Sequence, residues 1–311
     1  MKQYVLSYYP EFKCIADKCK HTCCAGWEML IDKDSLNNYL NDHSPFSQTL
    51  KRGVNFKKSK FKTDKLKRCA FLNQNGLCDI ITNFGEESLC QVCRDHPRFR
   101  SFFSHQTETG LGFSCEQATK IILSYQNKME LLPIDDDGGN EKPTFLEQCL
   151  LEFRTSALKI VQDRNLSIDD RIKSLLSLCN ANICEKDFSK ILKCFFNLER
   201  LDKGWTIRLK ALKKSDFTLK NPTILSLYFE QFFVNSIYRH LPDADDVMSA
   251  RERTIAIICT WLIIKSIFEN EYTNKDEFIL ICDIVRAYSA EVEYSQKNLN
   301  KLFRFASALN N

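Results

Sequence analysis

With 311 residues the chain is long enough to bury a full hydrophobic core without covalent staples, and its length suits one large domain or two modest ones. The net charge of +4, from 44 basic against 40 acidic residues, excludes the strongly basic balance of a typical nucleic-acid binder. The longest apolar run, residues 255–264, stops at Lys265 and is too short to cross a bilayer. Met1-Lys2-Gln3-Tyr4-Val5 also lacks the charged start and apolar core of a secretory signal, so a soluble, cytoplasmic protein without a membrane partner is expected.

Along the chain, a helix is predicted to begin near Asp32, where Asp32 or Asp34 caps Leu36 to Leu40. Lys51, Arg52, Lys57, Lys58, Lys60, Lys62, Lys65, Lys67 and Arg68 then face the single acid Asp64 in a local basic stretch. Such a stretch suits an acidic partner or a nucleic-acid backbone, but charge runs are commonly solvated, with Phe56 and Phe61 pinning the loop to a core. Asn75-Gly76 reads as a hairpin tip or metal knuckle. A helix over 86–94 would put Cys90 and Cys93 on one face. Short strands are expected over 98–104 and 107–113, and a helix from Cys115 to about Gln126.

The segment Pro133 to Pro143, carrying Asp135-Asp136-Asp137-Gly138-Gly139-Asn140, reads as a linker. Beyond it the spacing is helical: Phe145, Cys149, Phe153 and Ala157 recur at four-residue steps, and Phe278, Ile281, Val285, Tyr288 and Val292 at three and four. Helices are also predicted around 168–180, 186–199, 222–240 and 248–268. The fold class is therefore mainly α: an irregular cysteine-rich metal-binding domain with a few short strands (1–132), a linker (133–143) and a helical bundle (144–311).

Nine of the fifteen cysteines lie before residue 116: Cys14, Cys19, Cys23, Cys24, Cys69, Cys78, Cys90, Cys93 and Cys115. Closely spaced thiols in a chain large enough to stabilise itself, without secretory features, point to metal rather than a disulfide framework. A structural zinc takes four ligands, and the Cys90-x2-Cys93 knuckle suits it; an iron-sulfur cluster is wider and accepts ligands from more scattered positions. Spacing alone does not choose between them, and a subset of the nine suffices for either. Adjacent Cys23 and Cys24 point in different directions unless the backbone turns sharply. His21 and His96 lie beside cysteines as candidate replacements for a thiolate. Cys149, Cys179, Cys184, Cys194, Cys259 and Cys282 fall mostly on apolar helical stripes and read as core residues.

The C-x3-C-x2-C signature of radical S-adenosylmethionine enzymes is absent, because Gly26 stands where Cys19-x3-Cys23 would need its third cysteine. Gly110-Leu111-Gly112 does not continue into a dinucleotide-binding loop. Phe12-Lys-Cys14-x4-Cys19-x3-Cys23-Cys24-x-Gly26-Trp27, Cys69-Ala-Phe71-Leu72-x3-Gly76-x-Cys78 and Leu89-Cys90-x2-Cys93-x3-Pro97-Arg98 together resemble the bacterial flagellin lysine-N-methylases. They also resemble the wider group of cysteine-rich zinc- or iron-chelating proteins. The resemblance covers roughly the first 120 residues.

It implies methyl transfer from S-adenosylmethionine to lysine side chains of flagellin, with a cysteine-ligated 4Fe-4S cluster. Without a glycine-rich loop, the donor would be held in another way, its amino and carboxylate groups on the cluster being one. Asp95 and His96 are the candidate proton acceptors by position, and Trp27 is a candidate for lining an adenine or lysine channel. The alternative is a non-enzymatic zinc-binding module for protein interaction.

Overall fold

The computed structural model describes residues 1–136, 138–139, 141–212, 218–273 and 276–310. The chain divides into two compact units. One holds Lys13–Arg98 with Cys115–Gln117; the other holds Met1–Phe12, Phe99–Ser114 and Ala118–Asn311. All nine early cysteines therefore belong to the first, thiol-rich unit. Among the described residues, no helix is long and apolar enough to cross a membrane.

The thiol-rich unit is built from short elements. Lys33–Leu40 is a helix because Asp32, in extended conformation, accepts the Ser35 N–H at its N-terminus, as expected of an aspartate cap. The other carboxylate oxygen of Asp32 accepts the Gln91 N–H at 2.8 Å, fixing the start of a second helix, Gln91–Asp95. The continuous helix expected over 86–94 is not formed. A 3-10 turn, Glu86–Ser88, is followed by extended Leu89 and Cys90. The Tyr39 hydroxyl donates to the Ser88 carbonyl at 2.7 Å and Asp32 accepts the Gln91 N–H, so tertiary hydrogen bonds displace the intrahelical ones. Asn75-Gly76 does form a hairpin tip: Leu72 bridges Cys78, the Asn73 N–H donates to Leu77 O, and Gly76 has a positive φ.

The core of this unit is aromatic and sulfurous. Tyr39, Phe61 and Phe71 are buried with Cys69 and Cys90, and Phe46, Phe56 and Phe84 pack against them. The basic stretch takes its solvated form: Phe56 and Phe61 join this core while all its basic side chains but Lys60 are exposed. Phe71 lies over Gly53, where an added Cβ would sit 2.4 Å from its ring. Phe46 and Phe61 hold that ring at centroid distances of 6.2 and 5.2 Å, so it has nowhere to move. Gly53→Ala is expected to cost about 1–3 kcal/mol by overpacking, read as a lower denaturant midpoint.

In the helical unit, four strands lie in the order Arg98–Phe102, Gln106–Leu111, Lys2–Leu6, Leu131–Asp136. Lys2–Leu6 runs parallel to Gln106–Leu111 and antiparallel to Leu131–Asp136. The boundary expected at 133–143 is thus displaced. Tyr4 pairs with Pro133 and Lys2 with Asp136, so residues 133–136 of the expected linker belong to an edge strand, where proline is tolerated. Asp137 and Asn140 of that segment lie outside the described residues.

The strands predicted near 98–104 and 107–113 are present, as are helices Glu116–Ser124, Ile168–Leu178, Phe188–Phe196, Ser226–His240 and Val247–Glu271. Val247–Glu271 is buried nearly all round through its middle, which explains the apolar run 255–264 as a core helix. Trp261 on this helix packs against Phe229, Phe232 and Phe233. Of the late cysteines, Cys179, Cys259 and Cys282 are buried and Cys149 and Cys194 half-buried. Cys184 is exposed and donates to Asp187.

A π-helical turn, Ser289–Glu293, places Glu293 in a buried cluster. His240 Nε2 lies 2.9 Å from one carboxylate oxygen, and Arg239 and Ser289 engage the other. Burial pushes this carboxyl up, but Arg239, His240 and Ser289 outweigh it and hold it down at about 2. Burial also pushes His240 below its usual 6.5. Both groups bind protons more readily in the unfolded chain, so the stability they contribute is complete only above their unfolded values and falls as the pH falls. Urea unfolding is expected to show a loss beginning near pH 6.5 and continuing from 4.5 towards 2. Glu293→Gln should flatten the lower part of that profile.

Candidate metal centre

The nine early thiols fall into two sets by environment. Cys69 and Cys90 are buried in the aromatic core, and Cys24, Cys78 and Cys93 are packed against the same cluster. Cys14 and Cys23 are exposed, and Cys19 and Cys115 are half-buried. The inner set is assembled from three separate chain segments. Cys24 O accepts the Cys69 N–H at 2.8 Å, Cys78 closes the hairpin that begins at Cys69, and Cys90 O accepts the Cys93 N–H at 3.0 Å.

The inner thiols act on one another electrostatically. Hydrogen bonding with Cys93 holds the Cys90 thiol down against the effect of burial, and the bond with Cys90 pushes Cys93 up. Hydrogen bonding with Cys23 brings Cys24 down to about 7. Burial pushes Cys69 up to about 12, with the neighbouring charges of Cys24, Cys78 and Cys90 adding to it. The two adjacent cysteines differ in exposure, Cys24 packing against the core and Cys23 lying exposed, yet their side chains are hydrogen-bonded to each other, so the divergence expected of neighbours is not seen.

Among the described residues, no three His, Cys, Asp or Glu side chains stand together in an arrangement that holds a metal ion. The chemistry of the donor set nonetheless suits a thiophilic centre, because five soft thiols lie in or against an apolar core, with the carboxylates of Asp32 and Asp79 near enough to act on Cys90 and Cys78. All fifteen cysteines are free thiols. Cys19 of the outer set meets Glu116, whose Oε2 accepts the Lys20 N–H at 2.9 Å and lies 3.9 Å from the Cys19 sulfur. Sequence reasoning passed over Glu116, because nothing in its neighbourhood marks a residue about a hundred positions away as its partner.

Asp95 is the last residue of the Gln91–Asp95 helix, and His96 follows it. The His96 ring lies 6.4 Å from that of Trp27, whose indole N–H donates to Cys23 O at 2.8 Å. Trp27, Asp95 and His96 thus belong to the same unit as the thiols. His21 is exposed. A shallow, solvent-open concavity of about 480 Å³ lies beside Cys69 and is lined by Asp64, Arg68, Ala70, Leu72, Asn73 and Gln74.

The class these features define is a two-unit chain, with a compact unit carrying nine thiols, five of them packed in or against an aromatic core, and a larger helical unit. The chain is similar to the lysine-N-methylases of Salmonella typhimurium (strain LT2) and Salmonella choleraesuis (strain SC-B67), at 23% identity over 180 residues. The match takes in 55% of this chain and 45% of each relative, so the chain spans about half the length of the curated relatives it matches. It is also 23% identical over 133 residues to the flagellar biosynthetic protein FliU of Salmonella muenchen, covering 40% of this chain and 79% of that protein. No family model matches the chain. No solved structure matches it.

Proposed function

We propose that the protein is an S-adenosylmethionine-dependent lysine methyltransferase acting on flagellin, with a 4Fe-4S cluster held by thiolates of the inner set. The observation that carries this reading is the convergence of Cys24, Cys69, Cys78, Cys90 and Cys93 on one core, in a chain similar to proteins named for lysine methylation. Four of these five would ligate the cluster. When bound, the cluster would cross-link the chain segments that carry these cysteines and supply a soft, redox-active charge beside them.

The transfer itself is a displacement. The neutral lysine amine forms a bond to the methyl carbon, the carbon–sulfur bond breaks, and its electron pair neutralises the sulfonium to a thioether. The amine must first give up the proton of its ammonium form, and Asp95 or His96 would accept it and pass it to water. Trp27 offers an aromatic surface beside His96 for the adenine or the lysine stem.

The test is anaerobic purification with iron, sulfide and zinc analysis, followed by transfer of labelled methyl from S-adenosylmethionine to purified flagellin. Iron and sulfide near four per chain with label on flagellin lysines is the expected result. Zinc without sulfide, and no transfer, would overturn it in favour of a zinc-thiolate interaction module, a composition the same thiols fit chemically.

A further inference from the structure

The loop over 63–69 is held more firmly than its exposure requires. The Asp64 N–H donates to Arg68 O, the Lys67 N–H to Asp64 O, and the Gly26 N–H to Lys67 O, at 2.9 to 3.1 Å. Asp64 Oδ1 accepts the N–H groups of Leu66 and Arg68 at 2.8 and 2.9 Å. Lys67 is kept at φ 58°, a left-handed conformation that a lysine adopts only when its surroundings enforce it. On the other side of the 480 Å³ concavity, Asn73 is equally fixed: its Oδ1 accepts from Asn75 and Leu77 and its amide donates to Asp79. The walls are therefore set before any ligand arrives, which lowers the ordering cost of binding.

Two groups on those walls are left over. Among the described residues the Arg68 guanidinium has no ion-pair or hydrogen-bond partner, and Asp64 keeps Oδ2 uncommitted. They are the cation and the anion of the cavity, with buried Cys69 of the inner thiol set at its edge. One cation and one anion on a rigid turn, beside a thiol cluster, match a ligand carrying both a carboxylate and an ammonium.

We infer that this concavity binds the α-amino-acid end of the methyl donor, with Arg68 taking the carboxylate in a bidentate pair and Asp64 taking the ammonium. The inference rests on the methyltransferase reading above and adds where the donor is held. It departs from a donor whose amino and carboxylate groups sit on the cluster. Asp64 and Arg68 are binding residues here; neither touches the reacting methyl.

The test is calorimetric binding of S-adenosylmethionine and of its decarboxylated analogue to the metal-loaded protein, to Arg68→Ala and to Asp64→Asn. The wild-type protein is expected to prefer the carboxylate-bearing donor at least tenfold, and Arg68→Ala to abolish that preference with metal content unchanged. Asp64→Asn keeps an oxygen for the two loop N–H groups and is expected to weaken both ligands alike, since both carry the ammonium. A preference retained in Arg68→Ala, or absent from the wild type, overturns the placement while leaving the methyltransferase reading intact. Failure of the wild-type protein to bind either donor overturns the methyltransferase reading instead.

Discussion

Cys90→Ser is expected to reduce the metal content of the purified protein to background and to leave the thiol-rich unit unfolded or aggregated. Cys90 is 0% exposed and lies where the extended segment after Ser88 meets the core of Tyr39, Phe61 and Phe71. Its loss would remove one of the proposed ligands and also leave a hydroxyl among apolar and sulfur groups, a cost of about 1–3 kcal/mol before any metal is counted. In small thiolate domains metal affinity is folding free energy, so the two losses should appear together. Cys24→Ser, Cys69→Ser and Cys78→Ser are expected to follow the same course. Cys259→Ala and Cys282→Ala, in the helical unit, should retain full metal and lose about 1–2 kcal/mol of stability through small cavities. Metal analysis of these variants decides the matter, and undiminished metal throughout the inner set would sink the assignment.

The cysteine cluster announces itself in sequence because its members come in short-range pairs, and Cys90-x2-Cys93 or the Cys69–Cys78 pair can be seen without a fold. Their division into inner and outer sets could not be seen. Whether Cys23 or Cys24 faces the core depends on where residues 69–72 lie, and that is settled by the Cys69 N–H to Cys24 O hydrogen bond across 45 positions. The longer helices were legible from their apolar period. Lys203–Leu212 and Gln296–Asn310 passed unnoticed because lysines, arginines and asparagines interrupt the period of each. Residues 133–136 of the strand Leu131–Asp136 were read as linker because they open on a proline and run into the acidic, glycine-containing segment that follows. A strand's partner, here Lys2–Leu6, lies outside any local window. Arg68 was counted as one of nine basic residues, and it is as exposed as the lysines; what distinguishes it is the backbone turn fixed by Asp64 at the edge of the concavity.

Glu108→Ala is expected to cost about 3–5 kcal/mol, the larger of the stability effects in the helical unit. Glu108 on the strand Gln106–Leu111 and Arg154 on the helix Phe145–Val161 are both buried, and they meet through two parallel hydrogen bonds of 2.6 and 2.7 Å. The guanidinium carbon also lies 4.8 Å from the centroid of Tyr238 and 5.5 Å from that of Phe103, so removing the carboxylate strands a cation between two rings with no water to solvate it. The penalty is therefore mostly that of the abandoned charge. Replacing both partners by apolar residues of similar volume, Glu108→Leu with Arg154→Met, should recover most of the loss, because desolvating two ions roughly cancels their attraction. The discriminating measurement is a double-mutant cycle in urea followed through Trp205 and Trp261, both in the helical unit. A double variant as unstable as Glu108→Ala would mean that the pair is irreplaceable for its geometry rather than tolerated for its charge balance.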